Sequence, residues 1–435
     1  MRISIKRSSL SVENIMIVLL VCYFFFYPLI LYVFNSLLCY LILGICAAMA
    51  LYTIVRCNIA KFNKESMRWL LFLALTLVNN QSLAHKSYLW PFAYITALLI
   101  AVAISKRYIW LENAYKVIPV FGFVYVIGTF FFLAFPSLYS VMIDIWGYIP
   151  SGTENGTLGY RSGFADNYSA NGIYIAVVAL VLWTLIFCRK KKDEKLKVNK
   201  KLVIASGFVV IALLLTAKRA HLLFSVVSVA ISYFLISKKK LTSKLSKFIG
   251  LALVAIIGYY WLSYYVPALG DTFARFMETD DISNGRYQLW GLAYSSFLEH
   301  PIMGIGWCGF RYMDASKSYA LAGGYVDAHN VYIQLLCETG VIGFAICINI
   351  ILSTYIKSFR LIRNFGQQLT SDEFGSMAVS ISLQTFVILY SFTGNCLYDR
   401  TFLIYLFACA IQMSISYKLK TNRNVIKSAK RNVIY

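Results

Sequence analysis

Long apolar runs alternate with short polar connections along almost the entire chain. A helix needs about 20 predominantly apolar residues to cross a hydrocarbon core. Runs of that kind recur at 14–34, 36–55, 69–84, 88–105, 115–135, 169–188, 202–217, 220–236, 248–266, 331–355, 374–393 and 400–417. The pattern predicts an all-α polytopic membrane protein with about twelve transmembrane helices, or eleven if one of the shorter runs 69–84 and 202–217 does not cross. The first run follows Arg2, Lys6 and Arg7 as a signal peptide would, but it is longer than a signal peptide's apolar core and lacks a small-x-small cleavage site, so it reads as a membrane helix.

Two connections depart from the pattern. Residues 136–168 are rich in Gly, Ser, Asn and Tyr, and 267–330 form the largest polar interruption of the chain. Structureless loops of this length are uncommon and usually functional. Within the second, RYQLWGLAYSSFLE at 286–299 predicts a helix stopped by His300-Pro301. No fixed-period repeat is present, and 1–435 reads as one membrane domain without a soluble one.

Composition sharpens this reading. The chain is 59% hydrophobic and 14% charged, with mean hydropathy +0.66, against about 25% charged residues in soluble domains. The net charge of +22 is unevenly placed, with Lys and Arg gathered at 56–68, 189–201, 237–247, 357–363 and 418–431. With both termini in the cytoplasm all these clusters lie inside, as the positive-inside rule requires. Lys86, Arg161, Lys218, Arg219, Arg275, Arg286, Arg311, Lys317 and Arg400 then fall outside, and 136–168 and 267–330 become extracytoplasmic loops. Membrane lipid and topology account for the basic balance, and no nucleic-acid partner is called for. Ten cysteines lie mostly inside apolar runs without metal-ligand spacing, and Cys308 is alone in the long loop.

The candidate chemistry concentrates at the outer face. Arg219 and Lys218 occupy a tight turn in LLLTAKRAHLLFSVV, where they either snorkel to headgroups or bind phosphate through the guanidinium fork. Arg286 opens the loop helix after Asn284-Gly285 and is either a solvated end charge or a ligand for an anion. Arg161 lies in GYRSGFADNYSAN, where Asn167 and Asn171 read as caps of the next helix sooner than as sugar ligands. His329 and Asn330 precede an apolar helix carrying Glu338, Gly340 and Gly343. A histidine there suits general-base work; Glu338 reads as internally paired, and the glycines as sites of close helix packing. Asp280-Asp281 is an isolated acidic pair, and no metal site is expected.

Taken in order, LLLTAKRAHLLFSVV, GRYQLWGLAYSSFLEHPIMGIGWCGF and AHNVYIQLLCETGVIGF resemble the O-antigen ligase and polysaccharide polymerase family, including its His-Asn-x9-Gly-x-x-Gly signature. The resemblance covers roughly 155–360. It implies a GT-C-like glycosyltransferase that uses an undecaprenyl-pyrophosphate-linked oligosaccharide, without nucleotide sugar, metal or cofactor. By position, Arg219 and Arg286 would hold the pyrophosphate and His329 would activate the acceptor hydroxyl. Arg161 would add a further basic residue, while Lys218 shares the phosphate role and Asn330 joins the substrate contacts. TAKRAH departs from the family's habit of a Ser or Thr before the arginine.

The acceptor would be a growing glycan for a polymerase, the reading preferred here, and lipid A–core or a similar anchor for a ligase. The polymerase reading leaves room for a chain-length regulator. Transport of lipid-linked glycan is the reading from another class; Asn79-Asn80-Gln81 and Gln384 are few polar residues for a transmembrane path.

Overall fold

The computed structural model describes residues 11–56, 64–190, 199–265, 268, 270, 285–313 and 326–432. Asp280-Asp281, Arg275 and Lys317 lie outside them. The described chain is helical, and each of the twelve apolar runs carries a helix. The helices are α1 (Val12–Leu29, continued by a π turn Ile30–Phe34), α2 (Ser36–Arg56), α3 (Lys64–Val78), α4 (Leu89–Ile104), α5 (Val117–Ala134), α6 (Tyr168–Phe187) and α7 (Lys200–Leu215). They continue with α8 (Arg219–Ile236), α9 (Leu241–Tyr265), the loop helix α10 (Arg286–Glu299), α11 (Val331–Phe365), α12 (Ser371–Tyr390) and α13 (Thr401–Asn432). Among the described residues eight spans are long and apolar enough to cross a membrane, and α4 and Ser66–Leu77 of α3 are shorter apolar helices. The sequence expectation was twelve crossings; the helices are there, but length and composition establish eight.

The chain divides into two compact units. One comprises Phe25–Asn35 and Lys116–Ile282; the other comprises Arg2–Phe24, Ser36–Tyr115 and Ser283–Tyr435.

In the first unit α6 is the central helix, packed against α5, α7 and α8. It is apolar on every side, so it has no face to offer water and is buried along most of its length. Gly122 of α5 permits the closest approach, because a Cβ there would lie 2.2 Å from Val178 Cγ2 on α6. Small residues set such contacts in membrane helices. Asn167 caps α6, its side chain accepting from Ala170 N at 2.8 Å. The 136–168 loop is folded onto this unit: Tyr139, Met142, Trp146 and Tyr160 close a buried cluster with Phe132 of α5 and Leu215 of α7.

In the second unit α12 and α13 are the buried pair. Thr370 and Glu373 form a capping box at the start of α12, and Glu373 also pairs with Lys418 of α13. The loop helix α10 packs on α11, with Leu289, Ala293, Phe310, Ala328 and Cys337 closing a core. The predicted boundaries of α10 match the structure at both ends.

α11 is not a straight span. At Gly340 the backbone adopts φ 59°, ψ −169°, a combination that is essentially closed to other residues. The break exchanges partners cleanly. Val341 N donates to Pro301 O at 2.9 Å and Ile342 N to Ile302 O at 3.4 Å, while Ile305 N and Gly306 N donate to the released carbonyls of Cys337 and Glu338 at 3.1 and 2.9 Å. The 301–306 segment is therefore wedged into the helix. A Cβ on Gly340 would meet the carbonyl oxygen of Ile302 at 2.2 Å, and one on Gly304 would meet the Glu338 carbonyl carbon at 2.3 Å. Gly343 faces Thr339 of its own helix. The expectation that this glycine pair packs helix against helix is thus corrected: Gly340 admits a loop into a helix.

Gly340→Ala must both strain the backbone and push out the wedge, at about 1–3 kcal/mol for each effect. The purified variant is expected to unfold at a clearly lower temperature. Gly207→Ala, where nothing lies within 4 Å of the added carbon, is the control expected to leave the unfolding temperature unchanged or slightly higher.

Candidate active site

In the second unit, His329 ends the long loop where α11 begins. It has φ +53°, a left-handed conformation that is uncommon outside glycine and costs about 1–3 kcal/mol. The residues on either side of it are held firmly. Asn330 is the N-cap of α11, its side-chain oxygen accepting from Tyr332 N at 3.0 Å and Ile333 N at 3.2 Å. Val331 N donates to Ser391 O at the end of α12 at 2.9 Å. The Ala328 carbonyl accepts from Trp290 Nε1 at 2.9 Å, and its N–H donates to Gln334 Oε1 at 2.9 Å. His329 itself is partly exposed between these buried neighbours.

Trp290 ties this segment to Arg286. The two are four residues apart on α10, so they share a face. Arg286 occupies the first position of that helix, after Gly285 at φ +75°, with no side-chain cap on the helix start. The structure thus places Arg286 one turn from the residue that fixes the backbone before His329.

A polar ring lies beneath, with Asp327, Gln334 and Glu338 buried and Arg311 partly exposed. Arg311 reaches both carboxylate oxygens of Asp327, through Nε at 3.1 Å and through Nη2. Gln334 Nε2 donates to Asp327 Oδ1 at 3.1 Å and Glu338 Oε1 at 3.0 Å. Glu338 then accepts from Cys308 N at 2.8 Å and Phe310 N at 3.2 Å. The expected internal pairing of Glu338 is therefore what the structure holds. Asp327 raises the Arg311 pKa still further, which keeps it charged; burial, with Glu338 beside it, pushes the Cys308 thiol up. Sequence reasoning assigned no role to Arg311, Asp327 or Gln334. The available signal was Gln334 and Glu338 spaced four apart in an otherwise apolar helix, where polar groups must find partners.

The first unit carries the other basic candidates. Arg219 is exposed at the first position of α8, behind Lys218, and this helix start also lacks a side-chain cap. Lys218 Nζ lies 3.7 Å from the centroid of the Tyr168 ring, a cation–π contact at the start of α6. The turn before it holds Ala217 at φ +57°. His221 is buried against Gly172 of α6, where a Cβ would lie 2.7 Å from its Nδ1. Arg161 is 2% exposed and pairs with Glu154 of its own loop at 3.3 Å. Its carbonyl accepts from Asn171 Nδ2 at 2.9 Å, and the same amide donates to Thr129 Oγ1 at 2.9 Å. Asn167 alone takes the capping role expected of Asn167 and Asn171; Asn171 ties the loop to α5.

The polar residues weighed for a transport path have internal duties. Asn80 caps the short helix Gln81–Ala84, Asn79 O accepts from Trp307 N at 2.8 Å, and Gln384 donates to Ser358 and Ser380.

Asn330 was expected to contact substrate, and the cap gives it a structural task. Asn330→Ala is expected to lower stability by about 1 kcal/mol, whereas Asn330→Asp keeps the acceptor and should unfold within a degree or two of the parent. Thermal unfolding of the two purified variants in one detergent distinguishes the cap from a purely substrate-binding role.

No curated protein matches the chain. Residues 202–348, which include Lys218, Arg219, Arg286, His329 and Asn330 but not Arg161, match the family model described as O-antigen ligase. Over that segment the chain is similar to the O-antigen ligase family, the family its three motifs resemble.

Proposed function

We propose that this ligase/polymerase-type membrane enzyme is a polysaccharide polymerase. It transfers a glycan from undecaprenyl pyrophosphate to a sugar hydroxyl of an acceptor glycan at the outer face of the bacterial plasma membrane, with both termini cytoplasmic. One observation carries the reading: Arg219 and Arg286 each occupy the first position of a helix that has no side-chain cap. A helix start already carries partial positive charge, so a cation there is unfavourable by about 0.3–1 kcal/mol. A helix start with an added guanidinium favours a phosphate, which the backbone N–H groups and the side chain can bind together.

The chemistry follows. Attack of the acceptor oxygen on the anomeric carbon breaks the bond to the pyrophosphate, and the departing group takes the electron pair. Guanidinium groups that bind the departing pyrophosphate would stabilise that developing charge. The acceptor hydroxyl loses its proton as the new bond forms, and His329 is the base we assign to it. Direct displacement of this kind inverts the anomeric centre, and the arginines provide the charge compensation without a metal. Arg161, buried on Glu154, then serves by shaping the loop at the start of α6, and Lys218 by fixing that turn against Tyr168.

The description of the matching family favours a second reading, ligation of the finished chain to lipid A–core or a similar anchor. Donor and chemistry are the same, and only the acceptor differs. Electrophoresis of surface glycans from cells lacking the gene separates the two. Loss of long chains, with single repeat units still anchored, is the polymerase result. Long chains retained on undecaprenyl pyrophosphate, with none anchored, is the ligase result. Unchanged glycans would remove both.

At the residue level, His329→Ala and Arg286→Ala are each expected to abolish product while the protein still inserts at parental levels. Arg219→Lys, which keeps the charge and loses the fork, should retain measurable but reduced transfer. Radiolabelled or fluorescent glycan transfer in membranes, normalised to protein by immunoblot, checks all three; full activity in His329→Ala would refute the base assignment.

A further inference from the structure

We propose that the Arg311–Asp327–Gln334–Glu338 ring is a positioning unit, which holds the 327–330 strap so that the His329 imidazole meets the acceptor hydroxyl in one orientation. The chemical role rests on the functional reading above; the geometric role does not.

The ring is closed. From Phe310 N it runs to Glu338 Oε1, to Gln334 Nε2, to Asp327 Oδ1 and to Arg311, which is bonded through the chain to Phe310 again. Gln334 leaves no choice of amide orientation. Its oxygen accepts from Ala328 N and its nitrogen donates to two carboxylates; a flipped amide would set its oxygen against both. Asp327 is 6% exposed and accepts from Arg311 twice and from Gln334 once. Ala328 is held through its carbonyl and its N–H, and Asn330 by two amides of α11. Every residue flanking His329 is therefore fixed by at least two hydrogen bonds, and His329 is left as the one with the left-handed backbone.

An ion pair between a buried carboxylate and a partly exposed guanidinium contributes little net stability. What it supplies is direction: a bidentate guanidinium fork fixes a carboxylate plane. Here that plane belongs to the residue two positions before the base. The left-handed turn at 329 lies between residues 327, 328 and 330, which are all held at once.

The chain has four histidines, at 85, 221, 300 and 329, so selectively labelled histidine in full-length protein in lipid nanodiscs gives few ring signals. His329→Gln identifies the one of interest. Asp327→Asn and Arg311→Gln are expected to shift or broaden that signal and leave those of His85, His221 and His300 in place. With lipid-linked glycan extracted from cells lacking this protein as substrate, both variants should lose about 100-fold in kcat, the scale of a small misplacement, with KM within about twofold. Arg311→Lys, which keeps the charge but not the fork, should recover part of the rate. Should Asp327→Asn fail to insert, Gln334→Met leaves the ion pair intact, removes the amide bridges and is expected to move the same signal. An unmoved His329 signal in the folded variants overturns the proposal, whatever happens to activity. A moved signal in a protein whose parent forms no product retains the positioning unit and removes the transferase reading instead.

Discussion

A helix in a membrane domain cannot bend without finding new partners for the backbone groups it releases, because an unpaired N–H or carbonyl there costs several kcal/mol. α11 releases two carbonyls and two N–H groups around Gly340, and the 301–306 segment satisfies all four. Much of the described site follows from that exchange. It pins the chain that leads to Phe310 and Arg311 against α11, and it sets the Cys308 and Phe310 amides onto the Glu338 carboxylate. From Glu338 the hydrogen bonds run through Gln334 to Asp327, and so to the residues around His329. A wedge in a broken helix is thus the foundation on which a loop histidine is held.

The charges tell a complementary story. Arg311 and Arg161 are spent on partners, Asp327 and Glu154, and so work for the architecture. Arg219 and Arg286 stand where helix geometry concentrates positive potential. That placement is the ground on which the second pair is proposed to meet an anionic substrate. On that proposal, side chains and helix ends would supply the positive charge for chemistry on a pyrophosphate.

Hydrophobic periodicity made the helices legible, including α10 with its stop at His300-Pro301, because those signals are local. The family resemblance was legible for a related reason: three motifs with particular residues survive in order along 202–348. The role of Gly340 was not. A Gly-x-x-Gly pair reads as helix packing until the partner backbone is known, and that backbone lies nearly forty residues earlier in the chain at Ile302. Arg161 likewise reads as a surface charge, because its burial depends on how the 136–168 loop folds over α5 and α7. Asp327 and Arg311 are sixteen residues apart with no pattern to link them. What the sequence concealed were the contacts loops make when they fold back on themselves and on helices distant in the chain.

The most direct test of the account is binding of undecaprenyl pyrophosphate to the purified protein in nanodiscs, compared among the parent, Arg219→Ala, Arg286→Ala and His329→Ala. Arginines that hold the leaving group and a histidine that serves the acceptor predict weakened binding in the two arginine variants and parental binding in His329→Ala. Parental binding in both arginine variants would contradict the account.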